Sequence, residues 1–146
     1  MRSLIFVLVL LASSVFAAPL DKRQDACGGF RITSPTQSGL QWTHGQCYQI
    51  SFDAGNNSAG ALQVTSVDLL DVAGNLVKTQ WSGSVDPALQ GYVPFFNLDL
   101  GPTPTTGTYS FRVNVHTSGG ATCVRNTVSI TGIFNPNSGF VPCPAS

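Results

Sequence analysis

Cys27, Cys47, Cys123 and Cys143 constrain this chain more than any other feature. Their wide spacing lacks the close pairs that a zinc site requires, and an even number in an exported chain predicts two disulfides. Export is legible at the amino terminus. Met1-Arg2 gives a basic start, Leu4 to Leu11 is an almost unbroken apolar run, and Val15-Phe16-Ala17 offers a signal-peptidase site. The run is too short to span a bilayer, so residues 1–17 are expected to be a signal peptide and not a membrane anchor. Lys22-Arg23 is a dibasic processing site, which makes 18–23 a short propeptide and 24–146 a single mature domain.

About 120 residues remain after processing, enough for one domain with one core. Charged residues are only 10% of the chain, seven basic against seven acidic. The mature part keeps Arg31, Lys78, Arg112 and Arg125 against Asp25, Asp53, Asp68, Asp71, Asp86 and Asp99, a mildly acidic balance. No basic stripe interleaves with aromatics, which argues against nucleic acid or anionic lipid as a partner. Glu is absent and Lys nearly so, whereas a helical surface would use both heavily; the composition favours short strands and turns.

The hydrophobic pattern agrees. Thr108 to His116 alternates cleanly, with Tyr109, Phe111, Val113 and Val115 inward. Cys47 to Phe52 alternates too, placing Tyr48, Ile50 and Phe52 on one face. Phe30-Arg31-Ile32 is a short first strand ended by Ser34-Pro35, and Gln37 to Gly45 is expected to be a connection containing Trp42. In Leu62 to Leu70 the apolar parity slips near Thr65-Ser66, which predicts a bulge. Asp71 to Asn75 makes a hairpin into Leu76 to Trp81, and Ser82 to Gln90 is expected to be loop. Tyr92 to Leu100 is strand-like, although Pro94 demotes its start to an edge position. Gly101 to Gly107 is a rigid Pro/Thr connection, and in Cys123 to Ile130 the residues Val124, Val128 and Ile130 are expected to share a face. No segment carries a helical apolar stripe. The fold class is therefore all-β: an immunoglobulin/fibronectin-III-like β-sandwich of about seven strands. Tyr109, just after Gly107, stands where a tyrosine corner belongs, or is an ordinary core tyrosine.

That topology constrains the cysteines. The first and last strands of such a sandwich run side by side, so Cys27 and Cys123 fall at one end. Cys47 opens the second strand at the opposite end, within reach of Cys143 in the tail. The expected pairing is Cys27–Cys123 with Cys47–Cys143; Cys27–Cys143 with Cys47–Cys123 is the alternative. Each closed loop would remove unfolded-state entropy worth roughly 4 kcal/mol.

Residues of the kinds that carry chemistry are sparse. Glycoside hydrolysis needs two carboxyls across a cleft, but Asp68, Asp71, Asp86 and Asp99 fall mostly in turns or on polar strand faces. His44 and His116 have no motif partner, and neither G-x-S-x-G nor H-E-x-x-H occurs. No enzyme activity, cofactor or metal is expected. Aromatic side chains are the more promising feature, because sugars stack their C–H faces on such rings. Trp42, Trp81 and Tyr92 are the ligand-binding candidates, with Trp81 beside Ser82-Gly83 and Tyr92 beside Gly91 expected to be exposed. Asn56-Asn57-Ser58 is an N-glycosylation acceptor, with Asn56 as the modified residue.

Several of these segments resemble, in order and spacing, a fungal domain family. Ile32-Thr33-Ser34-Pro35, then Gly39, Trp42 and Gly45, then Ile50-Ser51-Phe52 are similar to its opening. Val67-Asp68-Leu69-Leu70 with Gly74, Val93-Pro94, Gly107 to Val113 and Asn126 to Ile130 resemble its later part. The family is the yeast cell-wall synthesis, killer-toxin-resistance-like domain, and the resemblance covers about residues 30–131. It implies an immunoglobulin-like sandwich at the cell wall, linked to β-1,6-glucan assembly, and it supplies no catalytic residues. The chain departs from the family in having no serine/threonine-rich stalk after Ile130 and no hydrophobic tail of the kind a lipid-anchor signal needs. The expectation is a freely secreted monomer without a membrane anchor. Its partner is expected to be a cell-wall polysaccharide, with the module supporting wall assembly or protection. The alternative is an apoplastic virulence effector that binds a host extracellular protein.

Overall fold

The computed structural model describes residues 27–55 and 61–145. The expected signal peptide, the expected propeptide with Lys22 and Arg23, and the expected glycosylation residue Asn56 lie outside the described residues. The described chain forms ten strand segments: β1 (Arg31–Ser34), β2 (Gln41–Thr43), β3 (Cys47–Tyr48), β4 (Ser51–Asp53), β5 (Leu62–Asp71), β6 (Leu76–Val85), β7 (Phe96–Asn97), β8 (Gly107–Thr117), β9 (Thr122–Asn126) and β10 (Ile130–Ile133). The larger sheet has the order β2-β10-β8-β5-β6, with β9 also paired to β8. The smaller layer is made of β1 on β4 and β3 on β7, joined by an isolated bridge between Ser51 and Tyr92. This is an all-β sandwich of the immunoglobulin/fibronectin-III kind.

The core lies between these layers because the alternating strands each turn one face inward. Val64, Val67 and Leu69 from β5, with Phe111, Val113 and Val115 from β8, meet Phe30, Ile50, Phe52, Val93 and Leu98 from the smaller layer. The slip in β5 is real: its register with β8 shifts between Val64 and Ser66, and Val67 and Leu69 thereby regain the inner face. Gly74 has φ of 84° in the β5–β6 turn, and the Asp71 N–H donates to the Asn75 carbonyl across it. The tyrosine corner is also present. Tyr109 donates its hydroxyl proton to the Thr105 carbonyl at 2.7 Å, pinning the Pro/Thr connection to the start of β8.

Both disulfides follow the expected pairing. Cys27 and Cys123 have Cα atoms 6.0 Å apart, and Cys47 and Cys143 have theirs 5.5 Å apart. The two bonds suit an oxidising compartment. Among the described residues no helix is long and apolar enough to cross a membrane.

Four expectations need correction. The stretch Gln37 to Gly45 is not all connection: its centre is β2, which runs parallel to β10 and pairs Trp42 with Gly132. β6 does not stop at Trp81 but continues through Ser82-Gly83-Ser84 to Val85, because β5 is long enough to pair all of it. Tyr92 to Leu100 supplies only the two-residue β7 plus single contacts, since Pro94 has no N–H to donate. Val124 does not share a face with Ile130. It pairs with the outward Asn114 and is 51% exposed, while Cys123 packs against the core. The chain then breaks at 127–129, where the Thr127 hydroxyl accepts the Phe111 N–H, and the changed parity returns Ile130 to the inside.

Candidate functional site

The aromatic candidates part company in the structure. Trp42 is buried on the inner side of β2, stacked on Tyr48 with ring centroids 4.2 Å apart and planes 5° from parallel. Its other neighbour is Phe111 at 5.2 Å, and Tyr48 in turn accepts the Thr43 N–H on its hydroxyl. The ring is part of the core and offers no open face. Trp81 is half-buried. It packs against the core, and its six-membered ring lies over Gly83, where an added Cβ would fall 2.7 Å from Cζ2. Tyr92 is the candidate that reaches solvent, at 40% exposure.

Local sequence explains why. Gly91 lies against the Phe52 carbonyl, where even a Cβ would approach to 3.2 Å, and Gly91 accepts the Phe52 N–H. Val93 donates to the Ile50 carbonyl and is fully buried. Tyr92 between them must point outward. The next inward side chain is Phe96, so Pro94 and Phe95 fall together outside the alternation, and Phe95 is 37% exposed. Sequence reasoning did not place the exposed Phe95 among the candidates; the available signal was Pro94, which adds the extra residue between two inward positions.

Tyr92 stands on the outer side of the smaller layer, and Phe95 is exposed three residues further along. Ser51 is directly opposite Tyr92, and Asp53, two residues further along β4, shares that face. Asp53 is bridged by Arg31 at 3.1 Å, both groups being largely exposed. The Gly55 N–H and the Arg31 guanidinium hold the Asp53 carboxyl below its ordinary pKa. A depression of about 570 Å³ lined by Gly29, Arg31, Asp53 and Gly55 adjoins the ion pair. The exposed Tyr92 ring thus stands beside Ser51, with the Arg31–Asp53 ion pair further along β4.

The carboxylates among the described residues are held by hydrogen-bond donors. Burial alone would raise Asp68, but Thr79, Arg112 and Asn114 donate to it at 2.7, 3.0 and 2.8 Å, and its pKa ends below the ordinary value. Asp99 behaves the same way: burial opposes ionisation, and Lys78 with the Gly101 N–H overcomes it. Asp71 and Asp86 accept backbone N–H groups in their own turns. A general acid needs the opposite shift. His44 is buried, accepts the Leu100 N–H on Nδ1 and packs edgewise against Phe134 and Phe140. His116 lies exposed on the outer face of β8. Among the described residues no group of three or more His, Cys, Asp or Glu side chains could hold a metal ion.

No protein-family model and no curated protein matches the chain. Among solved structures it is similar to murine CRIg, at 15% identity over 74% of this chain and 99% of that one, with a TM-score of 0.44. It is also similar to the fibronectin(III)-like modules of Clostridium thermocellum CbhA, at 16% identity over 73% of this chain and 46% of that one, TM-score 0.43. A third match is CopC from Methylosinus trichosporium OB3b, at 17% identity over 70% of this chain and 90% of that one, TM-score 0.40.

Proposed function

We propose that the chain is a secreted, non-catalytic module that associates with fungal cell-wall glucan and supports wall assembly or protection. The observation that carries this reading is the exposure of both Tyr92 and Phe95 in one short segment, with Ser51 opposite Tyr92. Two exposed rings three residues apart in one segment suit successive contacts along a polysaccharide and not a single small ligand. The signal-like leader and the two disulfides support export, and the resemblance of residues 30–131 to the yeast cell-wall synthesis domain supports the wall as the destination. The ionised, clamped carboxylates support binding without bond cleavage.

The test is retention of the mature protein on insoluble β-glucan, with chitin in parallel. Wild-type protein is expected to be held by β-glucan. Tyr92→Ala is expected to weaken that retention about tenfold, the loss of one stacking contact worth ~1.4 kcal/mol. Phe95→Ala should do the same, and the buried Trp42 is not part of the contact. Folded protein that passes through both polymers unretained sinks the reading and turns attention to a host extracellular protein as the partner.

A further inference from the structure

Three threonines share the Gly101–Gly107 connection, and the structure separates them. Thr105 is engaged by the tyrosine corner through its carbonyl and lies with its hydroxyl 3.3 Å from that of Tyr109. Thr106 accepts the Phe134 N–H on Oγ1 at 2.9 Å, which fastens the tail. Thr103 is exposed, and its hydroxyl has no hydrogen-bond partner among the described residues. Pro102 and Pro104 flank it on both sides. Neither carries an N–H and both fix φ, and the backbone bends at Pro102-Thr103, outside any ladder.

We propose that Thr103 is an O-glycosylation acceptor. An exposed, proline-bracketed bend outside any ladder is a segment that a glycosyltransferase can take into its active site without unfolding its neighbours. The transfer joins the anomeric carbon of a polyprenyl-phosphate- or nucleotide-activated sugar to Oγ1. The phosphate leaves with the bonding electron pair, and the hydroxyl proton goes to the transferase base. A sugar at Thr103 displaces no internal contact. One at Thr106 would crowd the hydrogen bond to Phe134, and one at Thr105 would crowd the Tyr109 hydroxyl. The proposal rests on export, since only an exported chain meets such enzymes.

The experiment is expression of the full chain in a secreting eukaryotic host, followed by mass spectrometry of the tryptic peptide from Thr79 to Arg112. The expected result is a hexose-series mass increment located at Thr103 in most molecules recovered from the medium. Thr103→Ala should remove it, leaving yield and thermal midpoint unchanged. Secreted protein bare at Thr103, or modified at Thr105 or Thr106 instead, overturns the proposal. Retention of the chain inside the cell overturns the export reading and this assignment with it.

Discussion

At Asp68 two effects oppose each other, and their balance sets a dependence on pH. The carboxyl is almost fully buried on the outer face of the larger sheet, which disfavours its charge, yet four donor atoms of Thr79, Arg112 and Asn114 converge on it. The folded-state pKa is lowered, so ionised Asp68 contributes stability that is present above the unfolded value near 4 and is lost as pH falls through the folded value. Asp53 and Asp99 shift in the same direction. Chemical denaturation followed across pH 2–6, a window on the order of the carboxylate range, is expected to show stability falling on acidification. Asp68→Asn should make that fall shallower without abolishing it. A second residue-scale prediction concerns Tyr109, whose hydroxyl has a single strong acceptor in Thr105. Tyr109→Phe should cost about 1 kcal/mol in urea denaturation at unchanged slope.

The elements show what the sequence revealed and what it hid. β8 was legible because every second residue is apolar and its partners on both sides obey the same period. The β5 bulge was legible as a parity slip, and the β5–β6 hairpin as Asp71 with Gly74. β2 was hidden: three residues of mixed polarity have no period, and they form a strand only because β10 offers a parallel edge. Ser82 to Val85 was hidden in the same way, since Ser-Gly-Ser has no strand preference and is held by β5. At the site, Tyr92 was legible from Gly91, whereas the burial of Trp42 depends on Tyr48 and Phe111, which sequence alone does not bring together. The seam where β10 meets β8 offers a direct test. A Cβ on Gly132 would lie 2.7 Å from Tyr109 Cδ2 and 2.9 Å from Leu100 Cδ2. Gly132→Ala is expected to destabilise by roughly 1–3 kcal/mol in urea denaturation, because both neighbours are buried and cannot move aside.

On the scale of the whole molecule, the two layers are closed at opposite ends by covalent bonds. Cys27–Cys123 ties the approach to β1 to β9, and Cys47–Cys143 ties the start of β3 to the tail beyond β10. Non-reducing peptide mapping of secreted protein should recover these two pairs and no Cys27–Cys143 peptide. Replacing Cys47 and Cys143 together by Ser should cost about 2–5 kcal/mol, read as a lowered denaturation midpoint. The tail would then depend on the Asn97 side chain, which donates to the Gly45 and Val141 carbonyls at 2.8 and 2.7 Å.

The placement of those bonds also governs how the molecule would respond to being stretched between its ends. Tension entering at Cys27 crosses directly to Cys123 or travels along the backbone to Cys47, and in either case reaches Cys143 through one short arm. The strands from β4 through β8 lie off both routes. Under load they would be shielded, and a protease cut anywhere among them would leave the pieces tethered.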